Sequence, residues 1–177
     1  MDIQKLCLDM GAEKAEAIPV SKLSLQADLR KFCELNHCGR YNRSYTCPPA
    51  VGDAEALITK LKSFTQAVIW QNIYPLEDSF DIEGMMIAQK KHSDMAQKIA
   101  RIVYSKLGKS QALILSAGSC STCETCGFIT AEPCRHPADA LVSLEAYGIN
   151  LTQISEISAL HYINGPNTVT YFGGVFQ

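Results

Sequence analysis

A mixed α/β sheet with helices packed on it is the architecture the sequence predicts, and three observations predict it. Gln66–Tyr74 (QAVIWQNIY) and Gln111–Ser116 (QALILS) are apolar, β-branched or aromatic runs of strand length. Between them, Ile82, Met85, Met86, Met95, Ile99, Ile102, Val103 and Leu107 hold a 3.6-residue period. Strand, long helix, strand is a central β-α-β unit, whose two strands should run parallel with a right-handed crossover. The chain has 177 residues, 47% hydrophobic and 19% charged, which suits a single domain over 1–177 with its own core.

In chain order, Ile3, Leu6, Cys7 and Met10 recur on one helical face and Gly11 follows as a stop. Cys7 lies on that apolar stripe, as a small core residue. Ala15–Val20 reads as a short strand. Leu25, Leu29 and Phe32 predict a helix capped by Ser24, with Cys33 emerging at its end. Asp53 predicts the N-cap of a helix over Ala54–Ser63. The long helix runs from about Ser79 to Leu107, closed by Gly108, with its methionines in the core and His92 on the solvent face. Pro137 predicts the first turn of a helix over Ala138–Ala146, ended by Gly148. Ile149–Ile154 reads as a strand. Ala159–Ile163 and Val169–Val175, joined by Asn164-Gly165-Pro166-Asn167, predict a C-terminal β-hairpin.

The chemistry is carried by cysteines. Seven of the eight fall in two groups, each in a Gly/Pro-punctuated stretch. Cys33, Cys38 and Cys47 are spaced C-x4-C-x8-C. Cys120, Cys123, Cys126 and Cys134 are spaced C-x2-C-x2-C-x7-C, directly after the second strand. In open α/β sheets that is where ligands gather. Thiols at three-residue intervals cannot share one side of a strand, but a tight loop can turn them inward around one centre. Such thiolates suit iron–sulfur clusters and zinc. C-x2-C-x2-C is the leading part of the bacterial ferredoxin run, although the x3-C-P tail is absent. The spacing therefore favours one or two iron–sulfur clusters of the [4Fe-4S] type, with zinc as the alternative. A cluster held by the trio alone would leave one iron open to substrate, unless Cys7 or His37 closes it.

Four thiolates carry four negative charges, of which a zinc ion or an oxidised cubane leaves two uncompensated. N–H donors and cations should stand nearby. Gly39, Gly118 and Gly127 are candidate donors; Arg40, Arg43, Arg135 and His136 are candidate cations. No phosphate-binding loop, dinucleotide fingerprint or nucleophile elbow is present, so no catalytic residue is assigned. Cys134 and His136, two residues apart, do not face each other as a nucleophilic pair.

The segments Cys38-Gly-Arg-Tyr41, Cys47-Pro48-Pro49, Cys120-x2-Cys123-x2-Cys126 and Pro133-Cys134-Arg135-His136-Pro137 resemble the DUF2284 family of prokaryotic proteins, which are predicted to bind metal. The resemblance spans about Cys33 to Tyr147. It implies metal ligation by Cys38, Cys47, Cys120, Cys123, Cys126 and Cys134, and no particular reaction.

A net charge of −2 leaves no electrostatic footprint for nucleic acid. No apolar run predicts a membrane span or a signal peptide, and unpaired cysteines without one predict a reducing, cytoplasmic setting. The function expected is electron transfer or support of a redox enzyme through a partner protein. The alternatives are a zinc-stapled interaction module and an enzyme with an open iron site.

Overall fold

The computed structural model describes residues 1–177. Five strands form one mixed sheet in the order β1-β2-β5-β3-β4. They are β1 (Lys14–Pro19), β2 (Gln66–Pro75), β3 (Leu113–Ser116), β4 (Val142–Ser143) and β5 (Thr168–Phe176). β5 pairs antiparallel with β2 on one side and with β3 on the other; β3 and β4 are parallel. Four α-helices accompany the sheet: α1 (Ile3–Asp9), α2 (Arg30–Glu34), α3 (Ala54–Leu61) and α4 (Ile82–Leu107).

Local signals set several boundaries. Asp2 caps α1 through the Lys5 N–H, Asp53 caps α3 through that of Ala56, and Asp81 caps α4 through that of Gly84. Gly11 (φ 104°) and Gly108 (φ 80°) take the chain out of α1 and α4 in backbone regions that suit glycine. The sheet separates two cores. On one face, α1 and α4 bury Ile3, Cys7, Ala96, Ile99 and Val103 against Val68, Trp70, Ile114 and Val175. On the other, Leu61 and residues 144–160 pack on Ile69, Leu115, Phe172 and Phe176.

The expected β-α-β unit is present as β2-α4-β3, and its strands are parallel. β5 lies between them, however, antiparallel to both. That insertion removes the expected hairpin. Both edges of β5 are occupied, so residues 159–163 have no ladder to join. Side chains satisfy them instead: Glu16 accepts from the Ala159 N–H (3.1 Å) and Gln71 from that of His161 (3.0 Å).

Other expectations are corrected too. No α-helix follows Pro137; only a 3-10 turn over Glu145–Tyr147 falls at the end of the predicted span. The His136 carbonyl accepts from Asp139 and Ala140 in a turn, and Val142 then pairs with Leu115 in the sheet. Ile149 makes only a bridge to Leu25, and Leu151–Glu156 is a 3-10 helix capped by Asn150. Ser24 caps nothing. Its carbonyl accepts from Asn150, and helix begins only at Ala27.

In α4 the buried stripe is Ala88, His92, Ser93, Ala96, Ile99, Ala100 and Val103, while Ile82 and Met86 are exposed. Alanines let α4 approach the sheet closely, which turns His92 inward. It lies fully buried between Trp70 and Tyr171, with Nδ1 3.2 Å from Asn72 Oδ1. No helix is long and apolar enough to cross a membrane.

Candidate metal centre

The connection from β3 to parallel β4 is the cysteine loop itself. Such crossovers are usually helical, and long loops without regular structure are usually functional. Residues 117–141 hold themselves by turns. Gly127 O accepts from Thr130 N (3.1 Å) and Glu132 N (2.8 Å), and Ile129 N donates to Cys126 O (3.0 Å). Only glycine fits at 127, because a Cβ there would stand 2.8 Å from Glu132 O and 2.9 Å from Pro133 O. This fold-back returns the chain toward Cys126 just before Cys134. α4 anchors both arms: Gln97 Nε2 donates to Thr122 Oγ1 (2.9 Å) and to Asp139 O (3.1 Å), and Arg101 pairs with Asp139 at 2.9 Å. Beyond the end of β3 a cavity of about 250 Å³ adjoins the start of the loop, lined by Gln89, Gly118, Tyr162 and Tyr171 among others.

The first cysteine group is built on α2 and the turns after it. Cys33 sits in the last turn of α2, half-buried, and Cys38 is exposed. Left-handed residues Asn36 (φ 55°), Gly39 (φ 67°) and Asn42 (φ 54°) reverse the chain, and Asn42 N donates to Pro48 O (2.8 Å) to close the loop. Cys47 is half-buried beside Ser44 and Thr46, both buried.

Ser44–Cys47 forms the wall where the two groups meet. Thr46 Oγ1 accepts from the Cys120 N–H (3.1 Å), and Tyr45 donates its hydroxyl to Glu132 O (2.7 Å). The Tyr45 ring packs edge-on against Phe128, centroids 5.2 Å apart. Cysteines far apart in sequence are thus carried on two interlocked loops.

Their electrostatics differ. Burial raises the Cys126 thiol, but N–H donors from Phe128 and Tyr45, the Ser44 hydroxyl and Arg135 outweigh it and leave the thiol below its usual range. Two of those donors come from the opposite loop. Cys33 and Cys47 are raised, burial being the main cause; Arg30 opposes it at Cys33, while Thr46 and Ser44 oppose it at Cys47. Cys33 also feels the charge of Cys38, and Cys47 that of both Cys38 and Cys33. Cys7 stands apart in the core, where burial pushes it up to about 12.

Of the expected cations, Arg135 donates to Thr125 O and bears on Cys126. His136 is exposed, and its charge bears on Asp139. Arg40 and Arg43 are exposed on the turn between Cys38 and Cys47, and His37 is exposed beside Cys38. Cys123 and Cys134 are half-buried on the main loop.

The residue that the sequence did not single out is Arg30. It is 9% exposed, and its Nη2 is buried without a partner. The only available signal was its position three residues before Cys33 on one helical face.

This donor set fits a thiolate-held group in its chemistry: seven unpaired thiols, N–H and hydroxyl donors at Cys126 and Cys47, and a buried guanidinium, with one unpartnered nitrogen, whose charge bears on Cys33 and Cys47. No three His, Cys, Asp or Glu side chains converge tightly enough to enclose a single ion.

Fold and loops together define a cysteine-rich α/β protein with the donor chemistry of a thiolate metal site. The chain belongs to the DUF2284 family, described as predicted metal-binding protein, whose model matches residues 16–176. No curated protein and no solved structure matches it.

Proposed function

We propose that the chain binds one or two iron–sulfur clusters and serves electron transfer to or from a partner protein. The observation that supports this reading is the interlocking of the two cysteine-bearing loops through Ser44–Cys47, which would make two centres neighbours. Cys120, Cys123, Cys126 and Cys134 would hold one group, with Cys126 stabilised as thiolate by Phe128, Tyr45 and Ser44. Cys33, Cys38 and Cys47 would hold the other. A bound cluster would supply one-electron redox chemistry. The protein's share is to hold thiolates, compensate their charge with N–H groups and guanidinium, and limit water at the half-buried positions.

The test is iron, zinc and acid-labile sulfide content, with a visible spectrum, on protein purified without air. Matching iron and sulfide with a brown colour bleached by dithionite is the expected result. Zinc without sulfide or colour would replace the redox reading with a structural one.

A further inference from the structure

Arg30 has a place in the structure that the ligand assignment alone does not use. Its Nε donates to Ala146 O (2.8 Å) and its Nη1 to Gly52 O (3.2 Å). Gly52 ends the turn that starts at Cys47, where Val51 N donates to Cys47 O (3.0 Å) and Gly52 N to Pro49 O (3.0 Å). The guanidinium thus ties the helix of Cys33 to the turn of Cys47. Arg30 takes part in none of the four ion pairs. Its Nη2 is buried and unpartnered, while the groups whose negative charge would bear on it are Cys33, Asp53, Cys47 and Tyr147. A buried cation without an anionic partner is costly. Thiolates formed on metal binding would bring the missing negative charge to it.

We propose that Arg30 is a positioning residue of the Cys33–Cys38–Cys47 centre: its buried positive charge offsets the charge of the metal-bound thiolates. The proposal rests on those three cysteines being ligands. It differs from a purely structural clamp, which would need only the bonds to Ala146 and Gly52.

The experiment uses the full chain, reduced and free of oxygen, with cobalt(II) as probe and a chelator as competitor. Thiolate-to-cobalt absorption reports binding. Cys38→Ser identifies the share bound at the trio. Arg30→Gln should weaken that share about tenfold to a hundredfold. Arg30→Lys keeps the charge but not the fork, and should recover most of the loss. In the Cys38→Ser background, Arg30→Gln should leave the remaining binding unchanged.

Equal losses in Arg30→Lys and Arg30→Gln would overturn the charge role and leave only a clamp. An equal loss by Arg30→Gln with and without Cys38 would overturn it as well. Should Arg30→Gln fail to fold, Arg30→Met fills the same space without charge and carries the same expectations. If Cys38→Ser leaves cobalt binding intact, the ligand reading itself falls. If Cys38→Ser removes cobalt and Arg30→Gln does not, only the Arg30 assignment falls.

Discussion

Cys47 and Cys126 share the Ser44 hydroxyl and shift in opposite directions. Burial wins at Cys47; donors from two loops win at Cys126. In metal-free, reduced protein near pH 8, iodoacetamide should therefore modify Cys126 well before Cys47 or Cys33, and Cys7 last. Mass mapping of a time course checks the order, and Cys47 reacting first would refute it. His92 supplies a second prediction. Burial pushes it down to about 4 from 6.5, the Phe172 carbonyl opposing. Between those values the unfolded chain binds the proton and the folded one does not. The stability contribution is whole above pH 6.5 and is lost as pH falls toward 4, by up to about 3 kcal/mol. Urea midpoints measured from pH 7 to 4.5 should fall, and the fall should shrink in His92→Gln. His92 also marks what local pattern hides. A histidine reads as surface by default, but flanking Ala88 and Ala96 bring the helix close to the sheet and carry it inside. Arg30 was harder still to see, because its role depends on the carbonyls of Ala146 and Gly52, remote in sequence.

Among the elements, the crossover from β3 to β4 is the one built for chemistry. Gly127→Ala would drive a methyl into two backbone oxygens, and the fold-back could not relax without opening. The expected cost is about 1–3 kcal/mol with loss of metal content, measured by thermal melts and elemental analysis. Tyr45→Phe removes only the bond to Glu132 and keeps the ring on Phe128. It should cost about 1 kcal/mol and loosen one loop against the other; proteolysis between Cys120 and Cys134 should quicken. Helices α1, α3 and α4 were legible from sequence, because local signals mark them: an apolar period closed by Gly11 for α1, the Asp53 cap for α3, and an apolar period closed by Gly108 for α4. The segment after Pro137 was not. Its strand exists only by pairing with β3, and helical-looking residues yield to that tertiary contact.

For the whole molecule, the two cores contain no proposed ligand; Cys7 is the only cysteine in either. Metal removal should therefore leave the sheet folded. Chelation is expected to keep the far-UV circular dichroism largely intact while residues 35–52 and 117–141 become protease-sensitive. Collapse of the entire spectrum would show that the loops hold up the fold. Strands β1, β2, β3 and β5 and the parallel relation of β2 and β3 were readable from apolar runs, whereas β4 read as helix and residues 149–154 and 159–163 read as strands that do not form. The insertion of β5 between β2 and β3 was not readable, because strand order depends on packing of distant segments rather than on any local period.

β4 is two residues long, and it alone covers the outer edge of β3 at Leu115 and Ser116. The cysteine loop delivers it there. A strand edge that loses its cover offers unpaired N–H and C=O groups to another molecule. If the loop slackens when its thiols are stripped or oxidised, this chain acquires a self-association hazard at β3. Light scattering should then rise with chelation under conditions where the fold persists, and metal supply would act as a safeguard of solubility.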